Sequence, residues 1–559
     1  MRTRHSTGKY LKSAIMASVA ALALTPAAAL ATPFITSEAP MMIGQNGATV
    51  QALFTVGETI PGATSPYTPV GIMDGIGAYS LNDSTVRVLV NHELGASAGA
   101  GYSVSDGAGG EVSLTGARIS YFDIDKASRN IVDAGLAMNR IYDRSGALVT
   151  DASQIDGGLN RFCSSALYES GHFGDGRGFN DRLYFTGEES SNGSIWVVDV
   201  NTGDLHAAPD LGRGGWENVT ALDTGSSNKV ALLMGDDTGS APLYLYVGEK
   251  DANGDFLAQN GLKDGKLYVW ASDAGDLDPS TFNGDEAIRN GQFVEVTVKD
   301  AGMAGQAGYD AAGYANDSTI RAEADAKGAF SFSRPEDLAT DPENGSRAVF
   351  ASTGRDSLFD GADKWGTVYD VEVDFANLAD GEIGASVRVV YDGDADATNG
   401  LRSPDNLEWA GDGFVFLQED RSYDWTLGGN DHEASILRLD METGDLLRVA
   451  EIDRSILAPF GVTDSGAGDL GNWESSGILD VSSLFNLDPG TLFIFDVQAH
   501  GLRDGIIADL DLVQGGQLLF LDASSLRVSE TSPLATLGFG LAGLGFVATR
   551  RRRQTAARK

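Results

Sequence analysis

Acidic and polar residues stand repeatedly at the ends of short apolar runs, where β-strands would deliver them to a common edge. Asn91-His92-Glu93 follows Val88-Leu89-Val90, Glu188-Glu189 follows Leu183-Tyr184-Phe185, Gly235-Asp236-Asp237 follows Ala231-Leu232-Leu233-Met234, and Gln418-Glu419-Asp420 follows Phe414-Val415-Phe416-Leu417. Arg161-Phe162-Cys163, Trp216-Glu217, Arg334-Pro335-Glu336-Asp337, Ser403-Pro404-Asp405-Asn406, Trp473-Glu474 and Asp496-Val497-Gln498-Ala499-His500 complete the set. Any one of these clusters, taken singly, reads more readily as a solvated turn than as a set of ligands. Together they pose a charge problem, because carboxylates beside hydrophobic strands are costly to bury unless a cation or an arginine neutralises them. Calcium is the simplest partner for many hard oxygen donors, and a thiolate at Cys163 would add a softer ligand. His92 reads either as catalytic or as a hydrogen-bonding structural histidine.

The elements that must position these residues read as strands throughout. Short apolar alternations recur, closed by turns rich in Asp, Gly, Asn and Thr, and long amphipathic helical windows are scarce. Two segments share one form, Ile195 to Gly203 and Ile436 to Gly444, each a strand running into Asp-x-x-Thr-Gly, and Ile119 to Asp125 is a weaker echo. Such a turn joins two strands of a propeller blade: Gly takes the positive φ, while Asp and Thr satisfy turn amides. The expected fold is an all-β β-propeller of six unequal blades with long inserted loops, such as 251–265 and 302–328. The formal net charge of −39 over 559 residues argues against nucleic-acid binding. Cys163 is the one cysteine, so an internal disulfide is impossible and stability must come from the core and from bound ions.

In this order, Asn-His-Glu, a cysteine followed by Glu-Glu, Gly-Asp-Asp with Tyr244-Leu245-Tyr246, Arg-Pro-Glu-Asp, Ser-Pro-Asp-Asn and a late Glu-Asp resemble the PhoX-type alkaline phosphatases, from about Val88 to Asp420. The resemblance implies a propeller that holds iron and calcium and hydrolyses small phosphate esters. It implies Cys163 as an iron ligand, Glu93, Glu188 or Glu189, Glu217, Glu336, Asp405 and Asn406 as metal ligands, and Arg334 as the phosphate binder. Arg334, Glu336 and Cys163 are then the catalytic set. Two other readings stay open on the residues: a non-catalytic, calcium-stabilised propeller of the cell surface or matrix, and a lactonase-like calcium propeller.

At the chain's beginning, Arg2, Arg4, Lys9 and Lys12 precede an Ala-rich apolar run ending in Ala29-Leu30-Ala31, the pattern of a secretory signal over 1–31. Arg2 and Arg4 are separated by Thr3, so the general secretory route is expected, and the protein is expected in the periplasm, at the cell surface or outside. A propeller domain is expected over 32–528. Over 529–559, an apolar stretch from Leu534 to Thr549 is followed by Arg550 to Arg553. This tail resembles PEP-CTERM sorting segments, with Val528-Ser529-Glu530-Thr531 where their Pro-Glu-Pro motif stands, and it is the one expected membrane contact. The oligomeric state is open. Truncation after Leu526 is expected to release the protein into the medium. Equal fractionation of truncated and full-length forms would show that the segment is neither a sorting signal nor a permanent anchor, the other reading of this tail.

Overall fold

The computed structural model describes residues 1, 33–61, 65–396, 398, 400–421, 432–456 and 461–526. The expected signal and tail therefore lie outside the described residues. Strands Met73–Asn82, Thr85–His92, Arg118–Asp125 and Ile131–Leu136 pair antiparallel in chain order. The same plan recurs with Phe162–Tyr168, Leu183–Gly193, Ile195–Asp199 and Asp204–Ala207. It recurs with Gly214–Leu222, Lys229–Asp236, Tyr244–Glu249 and Lys266–Ser272, extended by Ile288–Val296. Pro335–Thr340, Arg347–Ser352, Thr367–Asp374 and Gly384–Asp392 form a fourth unit, and Pro404–Trp409, Val415–Glu419, Ser435–Leu439 and Leu446–Ile452 a fifth. The sixth consists of Glu474–Asp480, Leu492–Ala499, Gly515–Asp522 and, from the N-terminal side, Thr49–Thr55.

The first strands of successive units touch in cyclic order, and that of the sixth touches that of the first. The fold is an all-β propeller, and we read each unit as one blade. Packing between units follows from the two-residue period of a strand. In Lys229–Asp236, Val230, Leu232 and Met234 join a core shared with the second unit, while Ala231 and Leu233 join a core shared with the fourth. A strand buried on both faces reads as a continuous apolar run, which is why Ala231 to Met234 shows no alternation.

The three sequence echoes are the same hairpin in three units, joining third strand to fourth. In the second unit Asp199 accepts from the amide of Asn201 (3.0 Å) and the hydroxyl of Thr202 (2.9 Å), and Gly203 stands at φ 74°. In the fifth, Asp440 caps Glu442 (2.9 Å) and Gly444 stands at φ 72°. The first unit has Arg129 in the left-handed position, φ 57°, so its signature was weak although its turn is alike. The two expected irregular insertions are partly helical: 251–265 holds Phe256–Gln259, and 302–328 holds Asp317–Ala326. The longer helix starts where Asn316 caps the amide of Thr319 (2.9 Å), and it buries Ile320 and Ala324.

Closure depends on the N-terminal segment. Met42–Gly44 pairs with Leu446–Ile452 of the fifth unit, and Thr49–Thr55 completes the sixth. One short stretch therefore ties both units next to the seam, and Phe54, fully buried, packs 5.8 Å from Phe122 of the first unit. Phe54→Ala is expected to destabilise the protein by about 3–5 kcal/mol, read by urea unfolding. A change under about 1 kcal/mol would show that the seam is not held there.

Candidate metal centre

In an antiparallel hairpin the start of the first strand lies beside the end of the second. All six units turn this edge to the same cavity, of about 380 Å³. First strands supply Asp74, Cys163, Glu217, Glu336, Asp405 and Glu474 at or near their starts. The ends of second strands, or the residues just beyond, supply Glu93, Asp237, Asp420 and Gln498, and Glu189 comes from the later half of Leu183–Gly193. Every first strand also carries a β-bulge within a few residues of its contribution. A bulge bends the strand and re-aims its side chains, as a ring of ligands converging on an axis requires. Two residues before Asp74, Cys163, Glu336 and Asp405 stand Ile72, Arg161, Arg334 and Ser403, all at positive φ (48°, 47°, 67° and 44°). For a β-branched residue such as Ile72 this is strained backbone, held by the surrounding structure at the mouth of the site.

Three groups of donor atoms lie within 4.8 Å of one another: Asp74, Glu93 and Cys163; Cys163, Glu189 and Glu217; Glu217, Glu336 and Asp405. They share Cys163 and Glu217, so they form one connected chain of ligand positions. The cavity is lined by nine carboxylates and four arginines, Arg161, Arg334, Arg421 and Arg503. Burial, then repulsion from neighbouring carboxylates, raises Asp74, Glu189, Glu217, Glu336, Asp405 and Glu474 well above the usual carboxylate range. Burial and the facing carboxylate of Asp74 push the Cys163 thiol up in the same way. A donor set that titrates this high while packed this closely suits multivalent cations.

The arginines are fixed by carboxylates. Arg334 donates through Nε (2.6 Å) and Nη2 (2.7 Å) to the two oxygens of Asp237. Despite its burial, Asp237 is held below the usual range by that guanidinium. Arg161 pairs with Glu93 at 2.5 Å and with Glu189. Beneath these donor atoms lies a supporting layer. Asn91 donates to the carbonyl of Cys163 (2.6 Å) and accepts from Tyr184 (2.8 Å), which fixes the thiol's backbone. Gln498 donates to Asp74 at 3.0 Å, and Thr353 donates to Glu336 at 2.5 Å. His92 is fully buried between the carbonyl of Gly71 (3.1 Å) and Ser120 (2.7 Å), and burial lowers it to about 3, so it is a neutral structural histidine.

Of the residues singled out in the sequence, Glu93, Cys163, Glu189, Glu217, Arg334, Glu336 and Asp405 line the cavity together. Glu188 faces away, accepting the amides of Asn160 (3.2 Å) and Ser194 (3.1 Å). Asn406 lies in the supporting layer, 3.1 Å from Ser164 Oγ. The acidic pairs at second-strand ends divide alike: Asp236 bonds Arg321 (2.9 Å) and Glu419 bonds Arg402 (3.1 Å), while Asp237 and Asp420 enter the cavity. Asp74 is a lining residue that the sequence reading passed over. Met73-Asp74-Gly75 has no acidic neighbour and begins its strand instead of ending one.

A family model described as alkaline phosphatase PhoX matches residues 158–463. No curated protein matches the chain. Among solved structures, Pseudomonas fluorescens PhoX in complex with vanadate, a transition state analogue, matches with TM-score 0.56 at 16% identity, covering 88% of this chain and 97% of that one. The GH93 α-L-arabinofuranosidase of Fusarium graminearum in complex with arabinobiose matches with TM-score 0.32 at 11% identity, over 81% of this chain and 94% of that one. For the periplasmic gluconolactonase of Pseudomonas aeruginosa the values are 0.26 and 12%, over 74% and 95%.

The raised carboxylates set the pH dependence of stability once cations are stripped. Folded, they hold protons that the unfolded chain has released. Their contribution is complete below about pH 4 and is lost as pH rises through the higher folded values. Chelated protein is therefore expected to unfold at lower urea at about pH 8 than at about pH 5, with cation-replete protein showing the opposite trend because its ligands must be deprotonated. Equal midpoints for chelated protein at both pH values would overturn this account.

Proposed function

The chain belongs to the alkaline phosphatase PhoX family, and on that premise we propose that its central cavity hydrolyses small phosphate esters with calcium and iron as resident metals. The observation that carries the reading is the connected ligand chain in which Cys163 and Glu217 are each shared by two groups. The residues fit such ions: nine carboxylates cannot all be charged at one mouth with four arginines unless further positive charge is present. Cys163 with Glu189 and Glu217 combines a soft donor with hard ones and suits iron. The all-oxygen group of Glu217, Glu336 and Asp405 suits calcium. Bound there, such cations supply Lewis-acid charge for the phosphoryl and leaving oxygens and acidify the attacking water.

The chain's own residues do the positioning. Asp237 occupies the Nε–Nη2 edge of Arg334, which holds the guanidinium plane and leaves Nη1 to donate to a phosphoryl oxygen. Arg161, held by Glu93 and Glu189 at the same mouth, offers a second guanidinium for the dianion. Asn91 and Gln498 keep the thiol and Asp74 in register, so little reorganisation is needed when substrate binds. Export by the N-terminal segment, a catalytic domain over 32–528 and membrane contact through the C-terminal tail belong to the same proposal. Among the described residues no helix is long and apolar enough to cross a membrane.

Purified protein is expected to contain iron and calcium by elemental analysis and to turn over a generic phosphomonoester. Cys163→Ser should abolish both iron content and turnover, since a serine hydroxyl is a hard, poorly ionised donor. Arg334→Ala should lower kcat/KM by about 10²-fold or more with metal content kept. A Cys163→Ser protein that retains iron and turnover, or a wild type without iron, overturns the iron assignment.

A further inference from the structure

A second cavity, of about 580 Å³, lies behind one wall of the first. The wall is the paired backbone of 160–161 and 188–189, where the amide of Glu189 donates to the carbonyl of Arg161 at 2.9 Å. Arg161 and Glu189 face the catalytic mouth, and their neighbours Asn160 and Glu188 face the second cavity. Two arginines reach into it from separate segments, Arg144 from the loop after the first unit and Arg213 from the entry to the third. Arg144 donates through Nη1 to Ser194 (2.7 Å), and Arg213 through Nη2 to Asp310 (2.7 Å). Nε and Nη2 of Arg144 and Nε of Arg213 are buried with no hydrogen-bond partner among the described residues.

The carboxylates in the same cavity are committed elsewhere. Glu188 accepts the amides of Asn160 and Ser194. Asp310 accepts those of Ala312 (2.9 Å) and Tyr314 (2.9 Å) as well as Arg213. Asp143 closes its own turn on Ser145 (2.8 Å), and Asp156 stands exposed at the rim. Asp310 neutralises Arg213, so what remains is three buried guanidinium N–H donors without acceptors, two of them on Arg144, which burial followed by repulsion from Arg213 lowers to about 10. Buried charged donors without acceptors are costly, and an oxyanion would satisfy the donors and the charge together.

We infer that this cavity is a second oxyanion site, built by Arg144 and Arg213 and separated from the catalytic mouth by the Arg161–Glu189 wall. Two sources share that chemistry: the distal anionic group of an ester that passes over the solvent edge of that wall with its phosphate in the first cavity, and free inorganic phosphate. The first source rests on the phosphatase reading, whereas the second does not.

Calorimetric titration of the metal-replete protein with inorganic phosphate separates the two cavities. Wild type should show two binding events. Arg144→Met and the milder Arg144→Lys, each checked for an unchanged melting temperature, should weaken one event about tenfold or more, while Arg334→Met weakens the other. In turnover assays, an ester with a second anionic group loses about tenfold in kcat/KM on Arg144→Met if the distal group is the ligand, and an uncharged aryl phosphate is unaffected. If free phosphate is the ligand, both esters are unaffected and the titration alone changes. Identical phosphate isotherms for wild type and both Arg144 variants would overturn the site. A wild type that hydrolyses neither ester defeats the phosphatase reading and leaves the titration to decide this one.

Discussion

Mutual repulsion among buried carboxylates is the constraint around which this protein is arranged. Asp74, Glu217, Glu336 and Asp405 come from four different units, yet they stand close enough to raise one another's affinity for protons. In a low-dielectric setting such a cluster cannot be charged without compensation. Two arginines are spent on neighbouring acids, Arg334 on Asp237 and Arg161 on Glu93 and Glu189, and the balance falls to cations. A cluster of this kind opposes folding when its members are charged and unpaired, and bound cations would offset that repulsion.

The propeller suits that task because it repeats one geometric operation around an axis. Each hairpin presents the start of one strand and the end of the next, so a short acidic motif becomes one member of a converging ring. Convergence has a structural cost, seen in the bulge of every first strand and in the left-handed Ile72, Arg161, Arg334 and Ser403. The apolar cores between units offset it. Because Leu232 packs toward one neighbour and Leu233 toward the other, no unit can tilt without disturbing two interfaces.

With one cysteine in the chain, no cross-link can secure the ring. Closure is instead non-covalent and distant in sequence, through Thr49–Thr55 beside Gly515–Asp522 and Met42–Gly44 beside Leu446–Ile452. The same N-terminal stretch is also held by a buried side chain of the sixth unit, since Gln517 accepts the amide of Met41 (2.7 Å) and donates to Thr55 (3.0 Å). The cysteine that cannot form a disulfide sits in the ring of donor atoms, where burial and carboxylate neighbours favour its thiol form.

Much of this was legible in the chain because strand ends are written locally. Apolar runs closed by acidic pairs marked the second strands and the edge they share, and Asp-x-x-Thr-Gly marked the outer hairpins wherever glycine filled the left-handed turn. What local pattern could not decide was which member of each pair faces the axis. Glu188 and Glu189, Asp236 and Asp237, and Glu419 and Asp420 are chemically alike, but a strand sends successive side chains to opposite faces, so register alone makes one a ligand position and its neighbour a structural anchor. Asp74 lay beyond sequence reading for the same reason, an isolated acid at a strand's start given meaning by a bulge and five neighbouring units. Residue type determined the chemistry available to this protein, and the tertiary ring decided which residues perform it, because ligand geometry depends on distances between strands hundreds of residues apart.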